Sequence, residues 1–244
     1  MQRNKPTIQQ YDTYTAEDFS VWDFLFSRQM ELLNENASAF YLEALTNIGF
    51  NAKEIPHFEK TNERMKALTG WRLSVVPEIV PQKDFFEMLA RKTFPATCWL
   101  RTRQEVDYIE EPDMFHDVFG HAPLLVNPVY ATFMEAVGHL ALKWVHEPAV
   151  IQLLGSFYWF TIEFGLLREQ NEPKIFGAGI ISSFGETKHT LTGVSTISDF
   201  NVHEMLHTKY RTDILQDRYF VIDSFEELFH AVKELDVLLE KHTF

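Results

Sequence analysis

The 244-residue sequence has a single cysteine, Cys98, so no internal disulfide can form and the composition suits a reducing compartment. Positive charge is also scarce. Against 35 Asp and Glu there are 22 Lys and Arg, a net charge of −13, which leaves no basic field to neutralise phosphates and excludes nucleic acid or an anionic membrane as a natural partner. Long apolar runs are missing as well. The longest stretch without Asp, Glu, Lys or Arg, Val118 to Met134, contains His121, Asn127 and two prolines, so no transmembrane helix is expected. The N-terminus, Met1-Gln2-Arg3-Asn4-Lys5, has no apolar core of a secretion signal. A cytoplasmic protein is therefore the expectation. No repeat, low-complexity tract or Pro/Gly/Ser-rich linker divides the chain, and residues 1–244 read as one domain long enough to bury roughly 70–75% of its unfolded surface. What is plentiful is aromatic: 22 phenylalanines, 8 tyrosines and 5 tryptophans.

Helical spacing dominates, and the fold class expected is mostly α with minor β. Phe19, Trp22 and Phe26 follow a cap at Thr15, and Phe40, Tyr41, Leu45 and Ile48 run up to a terminating Gly49. Asn127-Pro128 reads as an N-cap followed by a first-turn proline, with Val129, Phe133, Val137 and Leu140 on one face behind it. Ser224 and Glu227 read as a capping box ahead of Leu228, Val232, Leu235 and Leu239. Short strands are expected at Trp71 to Val76, Thr97 to Arg101 and Arg218 to Ile222, too brief and scattered for a large sheet.

Two of the ten histidines stand apart. His116 and His121 lie in EPDMFHDVFGHAPLL (Glu111 to Leu125), where a short helix runs into Gly120 and Pro123. On a continuous α-helix, residues five apart would point about 140° away from each other. A left-handed Gly120 would end the helix and let His121 swing back toward His116. The bland alternative is a capping His121 and a solvated His116. A carboxylate that could join them is Glu163, in the apolar GSFYWFTIEFGLL (Gly155 to Leu167), with no Lys or Arg between Lys143 and Arg168. A carboxylate among so many apolar groups needs an ion or a hydrogen-bonded partner to be buried, unless it simply points outward. Glu111, Asp113 and Asp117 are read instead as a wet, acidic first turn, where the helix dipole explains them. Two His and one Glu match the facial triad of non-haem iron, but zinc hydrolases use the same ligand types, so the donors leave iron and zinc open. The metalloprotease motif does not fit, since the histidines are five apart rather than four and Asp117 follows the first.

Arg101 could clamp a carboxylate from the end of its apolar segment, or lie at the surface. Phe157, Tyr158, Trp159, Phe160 and Phe164 around Glu163, and Phe115 and Phe119 around His116, are either plain core or a wall for an aromatic ligand. The small-residue segment GAGIISSFGE (Gly177 to Glu186) would let backbone approach a ligand, with Ser182, Ser183 and Glu186 as polar partners. It lacks phosphate-loop spacing.

These motifs, with RQMELL, IPHFEKTNERMKALTGW and FFEMLARKTFPATCWLR upstream, resemble the pterin-dependent aromatic amino acid hydroxylases, most closely their short bacterial phenylalanine 4-hydroxylase branch, over roughly Tyr14 to Phe229. The resemblance implies one mostly helical catalytic domain. It implies Fe(II) on His116, His121 and Glu163, with tetrahydropterin and O2 as co-substrates for hydroxylating L-phenylalanine to L-tyrosine. Tyrosine or tryptophan hydroxylation is the alternative within the family, a zinc hydrolase or a non-catalytic binding module the alternative outside it. Trp159 beside Tyr158 fits the phenylalanine and tyrosine branches better than the tryptophan branch. By position, Arg101 would grip the amino acid carboxylate, assisted by Ser182 and Gly179, and Pro112, Trp159 and Phe164 would line the ring pocket. Phe85 would stack on the pterin, with Val80, Gln82 and Asp117 along it. Tyr158 would border both substrates, and Glu186 would support the site from behind. Asp117 is shorter than the Glu of the animal enzymes, as is usual in bacteria, while Glu78 stands where the bacterial pattern has Gly, in the loop expected to meet the pterin. Nothing resembles the animal regulatory domain or tetramerisation helix, so a monomer is expected.

Overall fold

The computed structural model describes residues 4–241; Met1, Gln2 and Arg3 of the N-terminus discussed above lie outside the described residues, as do residues 242–244 of the expected domain. In chain order the elements are α1 (Ala16–Asn36), α2 (Ala39–Ile48), α3 (Phe58–Leu68), β1 (Arg72–Val75), α4 (Gln82–Ala90) and β2 (Thr93–Ala96). A π-helical turn, Phe115–His121, leads to α5 (Pro128–Lys143) and α6 (Pro148–Tyr158), and α6 runs directly into a second π-helical turn, Trp159–Glu163. The chain continues through β3 (Gly165–Glu169), β4 (Glu172–Ile175), α7 (Ala178–Ile181), α8 (Phe184–Leu191), β5 (Thr196–Asp199), α9 (Val202–His207), β6 (Arg218–Ile222) and α10 (Phe225–Glu240). Helices predominate, as the spacing of apolar residues led one to expect. Among the described residues no helix is long and apolar enough to cross a membrane.

The caps explain where the helices begin. Thr15 forms a reciprocal box with Asp18 at the start of α1, and Asn127 accepts the N–H groups of Val129 and Tyr130 ahead of Pro128. Gly49 closes α2 in the left-handed region (φ 77°), a conformation in which a side chain would be strained. The box expected at α10 is only half formed. Ser224 accepts the N–H of Glu227, but the Glu227 carboxylate accepts the N–H of Asp223 at 2.7 Å, one residue before the cap.

The strands form two sheets. β1 and β2 pair in parallel, Arg72 beside Thr93 through Val75 beside Ala96. The other sheet has the order β4-β3-β6-β5, antiparallel only between β3 and β4. The strand expected at Thr97 to Arg101 is not there: pairing stops at Ala96. The reason is chemical, since the N–H groups of Thr97 and Arg101 are taken by the carboxylates of Asp117 and Asp113 and are unavailable to a ladder. One continuous core joins α1, α2, α5, the two π-turns and the inner face of α10, with Trp22, Tyr41, Phe115, Phe119, Phe133 and Tyr219 fully buried. Its density gives the π-turns a rigid backing.

Candidate metal centre and adjoining cleft

The five-residue spacing of the histidines is resolved by the wider helix. In a π-helix the hydrogen bonds span five residues instead of four and the turn is wider, so positions i and i+5 fall near one face rather than diverging. The helix therefore does not end at a left-handed Gly120, which is absent from the positive-φ residues; it continues through His121. Gly120 has a different task. A Cβ there would lie 3.0 Å from the carbonyl oxygen and 3.2 Å from the Cβ of Ala178, so its absence lets α7 approach the turn. The second π-turn ends at Glu163, with the N–H of Phe164 bonded back five residues to the Trp159 carbonyl at 2.9 Å. The two turns bring one ligand atom each from His116, His121 and Glu163 within 4.8 Å of one another. His121 Nε2 lies 3.2 Å from Glu163 Oε1 and 3.3 Å from His116 Nε2, and His116 Nε2 lies 3.7 Å from Glu163 Oε2.

The ring of His116 is held in one tautomer. Ser182 Oγ donates to the Ala178 carbonyl at 2.8 Å, so toward His116 Nδ1, also 2.8 Å away, it accepts. His116 thus carries its proton on Nδ1 and turns the Nε2 lone pair inward. Burial, against the opposing pull of Glu163, lowers its pKa to about 4 and keeps it neutral. Burial pushes the Glu163 carboxyl up, but His121 and then His116 outweigh it and hold the group below its ordinary value. His121 is packed against Phe94, ring centroids 4.6 Å apart, and its Nδ1 has no hydrogen-bond partner among the described residues. A neutral imidazole nitrogen, a second imidazole and a carboxylate converging on one point form a donor set that suits a divalent cation of borderline hardness.

The acidic residues beside the histidines are not the wet first turn expected of them. Asp113 is 0% exposed and bonded to Arg101 twice over, Nε to Oδ2 at 2.9 Å and Nη2 to Oδ1 at 2.7 Å, with the Arg101 N–H also on Oδ2. Burial would raise its pKa, yet the Arg101 charge and these bonds bring it below the usual carboxylate range. Arg101, 6% exposed, is accordingly neither a surface residue nor a free clamp; one edge of its guanidinium is held and the other edge remains. Asp117 is buried too. Its Oδ2 accepts from the N–H and the hydroxyl of Thr97 at 2.7 and 2.8 Å, and burial, outweighing those bonds, raises its pKa to about 7. Glu111 instead pairs with Lys5 at 2.7 Å, and the same Lys5 lies 3.6 Å from Glu78. Glu78 thus lies within ion-pair reach of Lys5, whose hydrogen bond goes to Glu111.

A cleft of about 260 Å³ opens over the three-residue cluster. Val80, Gln82, Phe85, Asp117 and Tyr158 all line it, together with Pro112, Glu78 and Ile79. Phe85 and Tyr158 meet edge to face with centroids 5.5 Å apart. The other expected site residues do not line this cleft. Trp159 stacks on Tyr210 at 4.6 Å and leans on Phe164 at 4.5 Å, and Gly179 makes room for that ring, since a Cβ there would lie 2.8 Å from Phe164 Cζ. Ser182 serves His116, while Ser183 caps α8. Glu186 supplies the N–H that Ser183 caps, and its buried carboxylate accepts from the Tyr219 hydroxyl and the Gln216 N–H. The roles of Thr97, Phe94, Tyr210 and Gln216 carry no mark in the sequence because each matters through a partner remote in the chain, and for the same reason Asp113 reads there as a wet first-turn residue.

Comparison with known proteins agrees with this geometry. The family described as biopterin-dependent aromatic amino acid hydroxylase matches residues 3–243. The chain is 44% identical over 221 residues to a phenylalanine-4-hydroxylase of Ralstonia nicotianae, covering 90% of this chain and 70% of that one. It is 42% identical over 224 residues to the Chromobacterium violaceum phenylalanine-4-hydroxylase, covering 91% and 75%. A crystal structure of the latter, containing iron(III) and the oxidised cofactor 7,8-dihydrobiopterin, superposes with a TM-score of 0.89 at 41% identity, covering 96% of this chain and 85% of that one.

Proposed function

The chain belongs to the biopterin-dependent aromatic amino acid hydroxylases, and from that membership we propose that it is an iron- and tetrahydropterin-dependent monooxygenase converting L-phenylalanine to L-tyrosine with O2. The observation that carries the reading is the convergence of His116, His121 and Glu163 on one point at the base of a cleft walled by Phe85 and Tyr158. It is further supported by relatives at 42–44% identity that are phenylalanine-4-hydroxylases, one of them crystallised with iron and dihydrobiopterin.

In this reading His116, His121 and Glu163 hold Fe(II), and two neutral imidazoles with one carboxylate leave a single net positive charge and open positions. Bound there, iron and a reduced pterin would supply the activation of O2. The chain's own residues prepare that event. Ser182 keeps the Nε2 lone pair of His116 directed inward. Phe85 and Tyr158 offer apolar surface to a flat bicyclic pterin, and Val80 and Gln82 form the lip of its cleft. Asp117, with Oδ2 held by Thr97 and a pKa near neutrality, can accept a hydrogen bond from a ring N–H through its other oxygen, or when protonated donate one to a ring carbonyl or bare ring nitrogen. Arg101, fixed by Asp113, presents its remaining N–H groups to the amino acid carboxylate, with Gly179 allowing close approach. Pro112, Trp159 and Phe164 border the substrate ring. Anaerobic loading with Fe(II), followed by O2, phenylalanine and reduced pterin, is expected to yield tyrosine; no tyrosine at full iron occupancy overturns the reading. Offering tyrosine and tryptophan in parallel sets the substrate.

A further inference from the structure

The polar network behind Trp159 centres on Gln216. This residue is 5% exposed, although it closes a segment, residues 211–215, in which every residue is exposed. Both hydrogens of its side-chain amide go to backbone carbonyls of that segment, to Arg211 at 2.8 Å and Ile214 at 3.0 Å. With both donors committed, the amide has one satisfied orientation, and its oxygen faces the other way to accept the indole N–H of Trp159 at 3.0 Å. The main chain of Gln216 is held as well. Its N–H bonds Glu186 at 3.1 Å and its carbonyl accepts the Ser195 hydroxyl at 2.9 Å. The folded segment sets Tyr210 against the indole, nearly parallel at 17°, while Phe164 leans on the same ring system at 35°.

We propose that Gln216 is a specificity-determining positioning residue: through the Trp159 N–H and through the segment that carries Tyr210, it fixes the aromatic wall against which the substrate ring packs and so selects phenylalanine over the larger indole ring of tryptophan. The proposal rests on the phenylalanine-hydroxylating reading of the site. An indole tethered at its edge and backed by a stacked ring cannot rotate to deepen the pocket. Released from Gln216, it can, and a bicyclic substrate gains room while a single ring loses contact.

The test is made by binding, without turnover, on the Fe(II)-loaded protein under anaerobic conditions. Gln216→Met keeps the length of the side chain and deletes its three hydrogen bonds; the Kd for phenylalanine is expected to rise about tenfold. The ratio of tryptophan to phenylalanine Kd should fall, with iron content and pterin affinity unchanged. Tyr210→Leu, at a half-buried position outside the hydrogen-bonded network, should move the same ratio in the same direction. Combining Gln216→Met with Trp159→Phe should cost less than the sum of the two single changes, as expected if Gln216 acts in part through the indole. Equal weakening of pterin and phenylalanine, additive effects in the double variant, or a Kd ratio unmoved in both single variants overturns the proposal. A wild-type chain that binds phenylalanine and discriminates against tryptophan yet forms no hydroxylated product would instead overturn the functional reading.

Discussion

The two π-turns supply the same cluster yet are held by different forces. The turn carrying His116 and His121 is fastened by polar groups, one just ahead of it and three from other parts of the chain: Asp113 on the His116 N–H, Ser182 on its ring, Thr97 on Asp117, and the Tyr41 hydroxyl on the Phe119 carbonyl at 2.8 Å. The turn carrying Glu163 is fastened mainly by stacked and edge-on rings, Trp159 with Tyr210 and Phe164, and Phe160 with Phe220 at 5.2 Å. Hydrogen bonds are directional and set angles, whereas ring packing sets depth and excludes water. The first turn is thus built to aim two lone pairs, and the second to shape a wall.

That contrast can be broken by experiment. Asp113→Ala leaves Arg101 buried without its partner and is expected to lower stability by about 3–5 kcal/mol; Phe160→Ala should lower it by a similar ~3–5 kcal/mol through cavity formation. Denaturant titration reads both. The comparison demands different consequences at the cluster, with iron retention after desalting falling in the first variant and largely kept in the second; equal iron loss in both refutes the division of labour. Ser182→Ala is expected to weaken iron binding by about 10–100-fold with little change in melting temperature, because only the His116 tautomer is released. Competition with a chelator measures it, and wild-type affinity would mean that Ser182 does not orient the ring. Tyr41→Phe strands the Phe119 carbonyl in the core, and a loss of about 1–3 kcal/mol is expected; no loss would show that the π-turn stands without that bond.

The smallest effect concerns pH and the network behind the second turn. Burial, against the bonds from Tyr219 and Gln216, raises the pKa of Glu186 above its ordinary 4.5. The folded state therefore binds the proton more tightly than the unfolded chain. Its stabilising contribution is complete below the unfolded pKa and is lost as pH rises through the folded value. Glu186→Gln retains an acceptor for Tyr219 and Gln216 but cannot ionise, so its melting temperature should gain on the wild type as pH rises above the ordinary carboxyl value of 4.5. A difference constant with pH removes Glu186 from the account.

Much of this was readable along the chain. The caps at Thr15, Asn127 and Gly49 appear where local chemistry places them, because a cap joins residues two to four apart. The donor types were readable too, since a lone Glu163 in an apolar stretch and two histidines beside Gly120 are odd unless they serve one centre. The direction of the histidines was not. Apolar spacing at 3.6 residues cannot reveal a π-turn, and the left-handed Gly120 invoked to turn His121 back proved unnecessary. Thr97 to Arg101 has the composition of a strand and is not one, because carboxylates 20 and 12 residues away take its N–H groups.

The sequence by itself determined the helix starts, the predominance of helix, the identities of the three candidate ligands and the family. These follow from interactions between near neighbours or from residue types alone. Only the tertiary structure decided that Asp113 is buried on Arg101, that Asp117 is drawn toward neutrality, that Ser182 orients His116, and that Gln216 stands behind Trp159. Burial and charge depend on what other elements bring to the same place, and that information is not present in any one stretch of the chain.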